Sequence, residues 1–208
     1  MPIIVQLLIG LGLSALIAVP AYFRKSLTLD GMVCAMVIGS ALFGMGGWPF
    51  FVILIAFFLS SSLLSKVLPS PAMPSPGIVV KGNCRDSTQV IANGGVAFGF
   101  ALAYFIHPSD LAFVGFATAF AAANADTWAS EIGPRSRESP VFLIKRTPVT
   151  KGLSGGVSGL GFAASAAGAL FIAIIALAGW YAGHGFTWTS LIYGLTIVAG
   201  GFLGSVID

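Results

Sequence analysis

The chain is predicted to be all-α, a polytopic membrane bundle of about six to seven transmembrane helices with its polar site at the cytoplasmic face. Three observations predict this. Hydrophobic residues make up 57% of the 208 and charged residues only 8%, against roughly 25% charged in a soluble domain. The apolar residues fall in long continuous runs, not in the short alternating segments of a β-barrel. The ten Lys and Arg residues all fall in every second connection between those runs, the bias that marks cytoplasmic loops.

Taken in order, the runs predict spans at about 3–22, 31–46, 48–65, 88–106, 111–128, 157–181 and 188–207, each near the ~20 apolar residues a crossing needs, within a single membrane domain covering 1–208. The first lacks a basic n-region and a small-residue cleavage site, so it is read as a retained helix. The second is short, which predicts a tilted, broken or partly re-entrant segment. The first connection holds Arg24, Lys25 and Asp30, and the third Lys66, Lys81, Arg85 and Asp86. The fifth holds Arg135, Arg137, Lys145, Arg146 and Lys151. The second has no charge, the fourth only His107 and Asp110, and the sixth, near His184, no formal charge. With seven spans the basic connections share one side. The positive-inside rule makes that side cytoplasmic and puts the N-terminus outside, with Asp208 back at the cytoplasmic face; in a bacterium the membrane would be the inner one. Pro69, Pro71, Pro74 and Pro76 bar a regular helix between Leu68 and Ile78 and predict an extended loop or lid. Cys34 and Cys84 make no metal-binding pattern.

Three polar constellations lie on the basic side. Of the 17 formal charges, eight fall between Asp126 and Lys151. Carboxylates at the edge of a span are costly, and such residues mark function. Asp126 and Glu131, with Asn124 and waters, are candidates for oxygen ligands of Mg²⁺. Their spacing puts them about 140° apart on an ideal helix. Joint coordination therefore requires the helix to end between them, and Gly133-Pro134 marks such an ending nearby. The alternative is a solvated helix terminus.

The second constellation runs from Lys81 to Gly95. A helix starting near Asp86 or Ser87 is capped by either, and Asp86, Gln89 and Asn93 then share a face. With Lys81 and Arg85 supplying charge, this reads as recognition of a nucleotide or phosphate; the alternative is hydrogen bonding between helices. The third is a glycine-rich turn, Lys151-Gly152-Leu153-Ser154-Gly155-Gly156-Val157-Ser158. Its N–H groups, the following helix start, and the hydroxyls of Ser154 and Ser158 suit an anion. Small-residue helix packing explains the glycines equally well. Arg24 and Lys25 are candidates to clamp a lipid phosphate, or ordinary interfacial anchors.

Taken together, Lys81-Gly-x-x-Arg85-Asp86-x-x-Gln89-Val90-x-Ala92-Asn93-Gly94, Ala125-Asp126-Thr127-x-Ala129-Ser130-Glu131-Ile132-Gly133 and Lys151-Gly152-x-Ser154-Gly155-Gly156-Val157-Ser158 resemble the integral-membrane phytyl-phosphate kinase family of the vitamin E pathway. The resemblance covers nearly the whole chain. It implies phosphoryl transfer from CTP, or another nucleoside triphosphate, to an isoprenyl monophosphate such as phytyl or geranylgeranyl phosphate. Leu153 stands where a small hydroxyl residue is typical, and Gly201 to Asp208 resembles the start of a further motif ending in an aspartate. On this reading Lys151 and the turn carry the triphosphate, and Asp126 and Glu131, with Asp208, hold the metal. Arg85, Arg24 and Lys25 meet the lipid phosphate. The expected partners are CTP, the isoprenyl phosphate and the membrane, with no nucleic acid. The alternatives are a cytidylyltransferase making a CDP-lipid and a transporter of phosphorylated metabolites. A transporter would carry polar residues on to the outer face, where the sequence has almost none.

Overall fold

A computed structural model of the chain describes residues 1–68, 84–142, 147–149, 155–185 and 187–207, without the side chains of 181–184. The helices are α1 (Ile3–Phe23), α2 (Leu29–Val67), α3 (Ser87–Ile106), α4 (Asp110–Ile132), α5 (Gly159–His184) and α6 (Trp188–Ile207), with a 3₁₀ turn at Gly133–Arg135. Five of them, all but α4, are long and apolar enough to cross a membrane. Their outward side chains agree: Ile4, Leu16, Phe23, Ile106 and Leu195 are among many large apolar residues left exposed, an apolar surface that suits lipid rather than water.

The 39 residues of α2 are two helices joined at Gly47, where φ is +65° and ψ −150°. In a straight helix Gly39 and Leu54 would stand about 22 Å apart. Here a Cβ on Gly39 would lie 3.5 Å from Leu54 Cδ2, and the rings of Phe43 and Phe51 meet edge to face at 5.6 Å. The chain therefore reverses, and the two arms are the separate spans expected at 31–46 and 48–65. Only glycine adopts this backbone region readily, and a Cβ at Gly47 would touch nothing within 4 Å. Gly47→Ala should thus lose about 1–3 kcal/mol from backbone strain alone, readable as a lowered thermal-unfolding midpoint in detergent.

α4 is the least apolar helix and the most enclosed. Phe113, Phe116, Ala117, Phe120, Ala121, Asn124 and Ala125 are buried, against the second arm of α2, α3, α5 and α6. Phe50 packs on Phe113 and Phe116, with centroids 5.5 and 4.3 Å apart, and Phe57 on Phe120 at 5.4 Å. Gly115 meets the ring of Phe100 on antiparallel α3, and Gly201 meets Ala121 from parallel α6. A polar helix is tolerated because its neighbours, not lipid, surround it.

The helix directions gather the loop after α1, the end of α2, the start of α3, the end of α4 and the start of α5 at one end. Every Lys and Arg among the described residues lies there. At the opposite end, Tyr193 donates its hydroxyl proton to Asp110 at 3.0 Å. The basic fifth connection is not simply a loop. Val141–Phe142 (β1) pairs antiparallel with Gly156–Val157 (β2), and Val149 N–H donates to the Pro140 carbonyl at 2.8 Å. The proline-rich segment expected to form a lid lies outside the described residues.

Candidate functional site

The polar end is organised around Arg85. Its N–H donates to the Ser26 carbonyl at 2.9 Å, and its carbonyl accepts the Thr28 N–H at 3.0 Å, a parallel bridge that ties the start of α3 to the α1–α2 connection. Gly31 permits this, because a Cβ there would collide with the Arg85 carbonyl oxygen. Asp30 completes the strap: Oδ1 accepts from the Thr28 hydroxyl at 2.6 Å and Oδ2 from the Ser87 N–H at 2.9 Å.

The Arg85 guanidinium sits 5.5 Å above the Phe57 ring centroid. Burial pushes its pKa down, and the charge of Glu131 opposes that shift. Arginine is nonetheless protonated in proteins, so the site contains a fixed cation over an aromatic face and within the field of a carboxylate. Glu131 Oε1 is itself fixed by the Ser65 hydroxyl, which donates at 2.6 Å.

Two cavities share Arg85. One is a cleft of about 300 Å³ lined by Arg24, Lys25, Ser26, Ser62, Ser65, Lys66 and Arg85. Among the described residues its wall holds four cations, three hydroxyls and no carboxylate. The other, about 70 Å³, is apolar and runs among α1, both arms of α2, α3 and α4, past Ile17, Leu27, Phe57 and Val90, with Ser14 and Asn93 as its uncharged polar residues. A cationic cleft beside an apolar cavity can take the head and the adjoining carbons of an anionic amphiphile.

The structure thus brings Arg24, Lys25 and Arg85 together, as the sequence reading expects. Lys66, Ser62 and Ser65 join them without having been expected. Ser62, Ser65 and Lys66 lie at i, i+3 and i+4, one helical face, and that spacing was the available signal.

Other expected site residues have different work. Asp86 caps α3: Oδ1 accepts the Gln89 N–H at 2.8 Å, and Gln89 Oε1 accepts the Asp86 N–H at 3.2 Å. This capping box engages both side chains, so they are assigned to the helix start rather than to a nucleotide. Asn93 lines the apolar cavity. Asn124, expected as a metal ligand, is fully buried. Its Oδ1 accepts from the hydroxyls of Ser60 at 2.9 Å and Ser61 at 3.4 Å, and its Nδ2 donates to the Gly168 carbonyl at 2.9 Å. It clamps α2, α4 and α5 together. Ser158, expected to donate to a phosphate, donates to the Gly133 carbonyl at 3.2 Å and accepts the Gly161 N–H at 3.1 Å, which makes it the cap of α5. Gly155, at φ +80°, turns the chain into β2, and Gly156 pairs with Phe142 within the strand. Lys81, Lys151, Gly152, Ser154 and Asp208 lie outside the described residues.

The expectation of a metal ion shared by Asp126 and Glu131 required the helix to end between them. It does not; α4 is unbroken to Ile132, so the two point to sectors about 140° apart. Glu131 faces Ser65 and Arg85, while Asp126, half-buried, belongs to another face. Among the described residues no three His, Cys, Asp or Glu side chains converge as a metal site. These residues do not by themselves fit a Mg²⁺ ion.

Fold and site define the class: a polytopic α-helical membrane protein with a cationic cleft at one membrane edge. The chain belongs to the family described as integral membrane protein DUF92, whose sequence profile matches residues 12–208. It is 26% identical over 174 residues to an uncharacterized membrane protein of Methanocaldococcus jannaschii, covering 84% of this chain and 71% of that one. It is 30% identical over 176 residues to Protein PGR of Arabidopsis thaliana, covering 78% of this chain and 61% of the relative. The matched part is therefore less than two thirds of Protein PGR. No solved structure matches the chain.

Proposed function

We propose that this protein is a phytyl-phosphate-kinase-like enzyme that transfers the γ-phosphoryl group of CTP, or another nucleoside triphosphate, to an isoprenyl monophosphate. The carrying observation is the convergence of cations from three separate stretches of chain, Arg24 and Lys25, Lys66, and Arg85, in one cleft that opens beside an apolar cavity. The lipid phosphate occupies the cleft, with its chain toward the apolar side. By the positive-inside rule this end faces the cytoplasm, where nucleotides are found.

In the proposed step an oxygen of the lipid phosphate attacks the γ-phosphorus. The bond from that phosphorus to the β–γ bridging oxygen breaks, and the nucleoside diphosphate leaves with the bonding pair. The products are the isoprenyl diphosphate and CDP. The acceptor is already anionic, so no general base is needed. The task is to hold two anions in line and offset their repulsion. Arg24, Lys25, Lys66 and Arg85 do this on the acceptor side. Lys81, Lys151, Gly152 and Ser154 are assigned to the nucleotide by the resemblance alone. Asp126 is likewise assigned to the nucleotide side by the resemblance alone.

The test is incubation of purified protein with CTP and geranylgeranyl phosphate. Label from the γ-position should appear in the lipid product; label from the α-position would instead identify cytidylyl transfer. If the resemblance assigns Asp126 correctly, Asp126→Asn should lower turnover. Unchanged turnover in that variant removes Asp126 from the reaction.

A further inference from the structure

The apolar cavity is small, and that sets what it can recognise. An engineered cavity of about 150 Å³ accommodates benzene. By the same proportion, about 70 Å³ takes roughly three carbon atoms, less than one five-carbon prenyl unit. Its far wall is also not wholly apolar. Ser14 is 6% exposed, lines the cavity, and its hydroxyl has no hydrogen-bond partner among the described residues. Asn93 presents a second polar side chain. That hydroxyl is already enclosed, close against Gly39.

We propose that this cavity receives only the carbons next to the phosphate, so that the protein selects its lipid by the head-proximal unit and not by chain length. Arg85 lines both cavities and fixes where the headgroup ends and the chain begins. Phe57 and Val90 wall the entrance, and the rest of the chain lies in the bilayer. This rests on the proposed function, in that the cleft must hold a prenyl phosphate.

Gly94 offers a way to close the cavity without touching the cleft. A Cβ there meets only Ile38 Cγ2, at 4.0 Å, so Gly94→Leu directs its side chain into the void without backbone strain. Val90→Phe fills it from another residue. Binding is measured without nucleotide, so catalysis does not enter. For the wild type in detergent, dimethylallyl phosphate should bind about tenfold more tightly than inorganic phosphate, a discounted figure for burying about three carbons. In nanodiscs, farnesyl and geranylgeranyl phosphate at equal mole fraction should bind within about twofold of each other, since both present the same unit. In Gly94→Leu and Val90→Phe, the advantage of dimethylallyl phosphate should fall to about twofold or less, with affinity for inorganic phosphate unchanged. That unchanged affinity also reports an intact cleft. An affinity that rises fivefold or more from farnesyl to geranylgeranyl phosphate overturns the inference. So does a dimethylallyl advantage that survives both substitutions. Absence of binding by every one of these phosphates to the wild type overturns the proposed function itself, a different result from either.

Discussion

Arg85→Ala is expected to lower kcat/KM for an isoprenyl monophosphate by about 10²- to 10³-fold. Among the described residues Arg85 is the one cation that lines both cavities, so it meets the phosphate at the point where the chain leaves it. A hydrogen bond to a charged group contributes about 1.5–3 kcal/mol, and the planar guanidinium can offer two at once. The substitution has a second consequence. It also removes the cation whose charge interacts with that of Glu131; both side chains are half-buried, so the cost to stability should be about 1 kcal/mol or less. Arg85→Lys keeps the charge but not the fork and should lose about tenfold. The double variant Arg85→Ala with Glu131→Gln separates the two effects. Removing the stranded carboxylate should restore thermal stability relative to Arg85→Ala while activity stays low. If Arg85→Ala binds prenyl phosphates as the wild type does, the cleft is not the lipid site.

Much of this arrangement was legible in the sequence, for physical reasons. Charge is expensive in lipid, so cations collect at span ends. Seven spans with charge at every second connection can only gather at one end, which is how Arg24 and Arg85 could be placed together although 61 positions apart. The break between the apolar runs 31–46 and 48–65 placed a connection there, and the reversal within α2 falls at Gly47. What the sequence could not show is which helix lies against a given face. Asn124 and Glu131, seven positions apart on unbroken α4, both point to the second arm of α2, where Ser60, Ser61 and Ser65 meet them. Read without that neighbour, an amide and a carboxylate near a helix end look like ligands. Read with it, one is a clamp between helices and the other the acceptor of the Ser65 hydroxyl. Asp86, Gln89 and Ser158 carry the same lesson at shorter range. Caps and phosphate sites draw on the same polar residues at helix starts, and only the observed hydrogen bonds separate them.

Asn124→Asp should be the most destabilising of the substitutions considered, and its pH dependence decides what Asn124 does. The side chain is fully buried, donates to the Gly168 carbonyl and accepts from two serine hydroxyls. An aspartate keeps the acceptors but loses the donor, worth about 0.6 kcal/mol on average within a membrane bundle. It also places a carboxyl where insertion costs about 2.5–3.5 kcal/mol. The sum is about 3–4 kcal/mol, a fall of roughly 10 °C in unfolding midpoint for a chain of this size. Burial would raise the new carboxyl's folded-state pKa above its unfolded value. The protonated acid, which can again donate to Gly168, is the form the fold prefers. Stability should therefore be greatest below the unfolded pKa and be lost as pH rises through the folded one. The deficit relative to wild type then shrinks toward acid pH. A metal ligand predicts the reverse: aspartate is the better oxygen donor for Mg²⁺, its complex is strongest when ionised, and protonation weakens it. Unfolding midpoints of Asn124→Asp and wild type, measured from pH 4 to pH 8 with and without added Mg²⁺, distinguish the two. A variant stabilised by Mg²⁺ at neutral pH would return Asn124 to the metal site. A variant recovered by acid and indifferent to Mg²⁺ would fix it as the clamp that sets α4 between α2 and α5, and so holds Glu131 against Ser65.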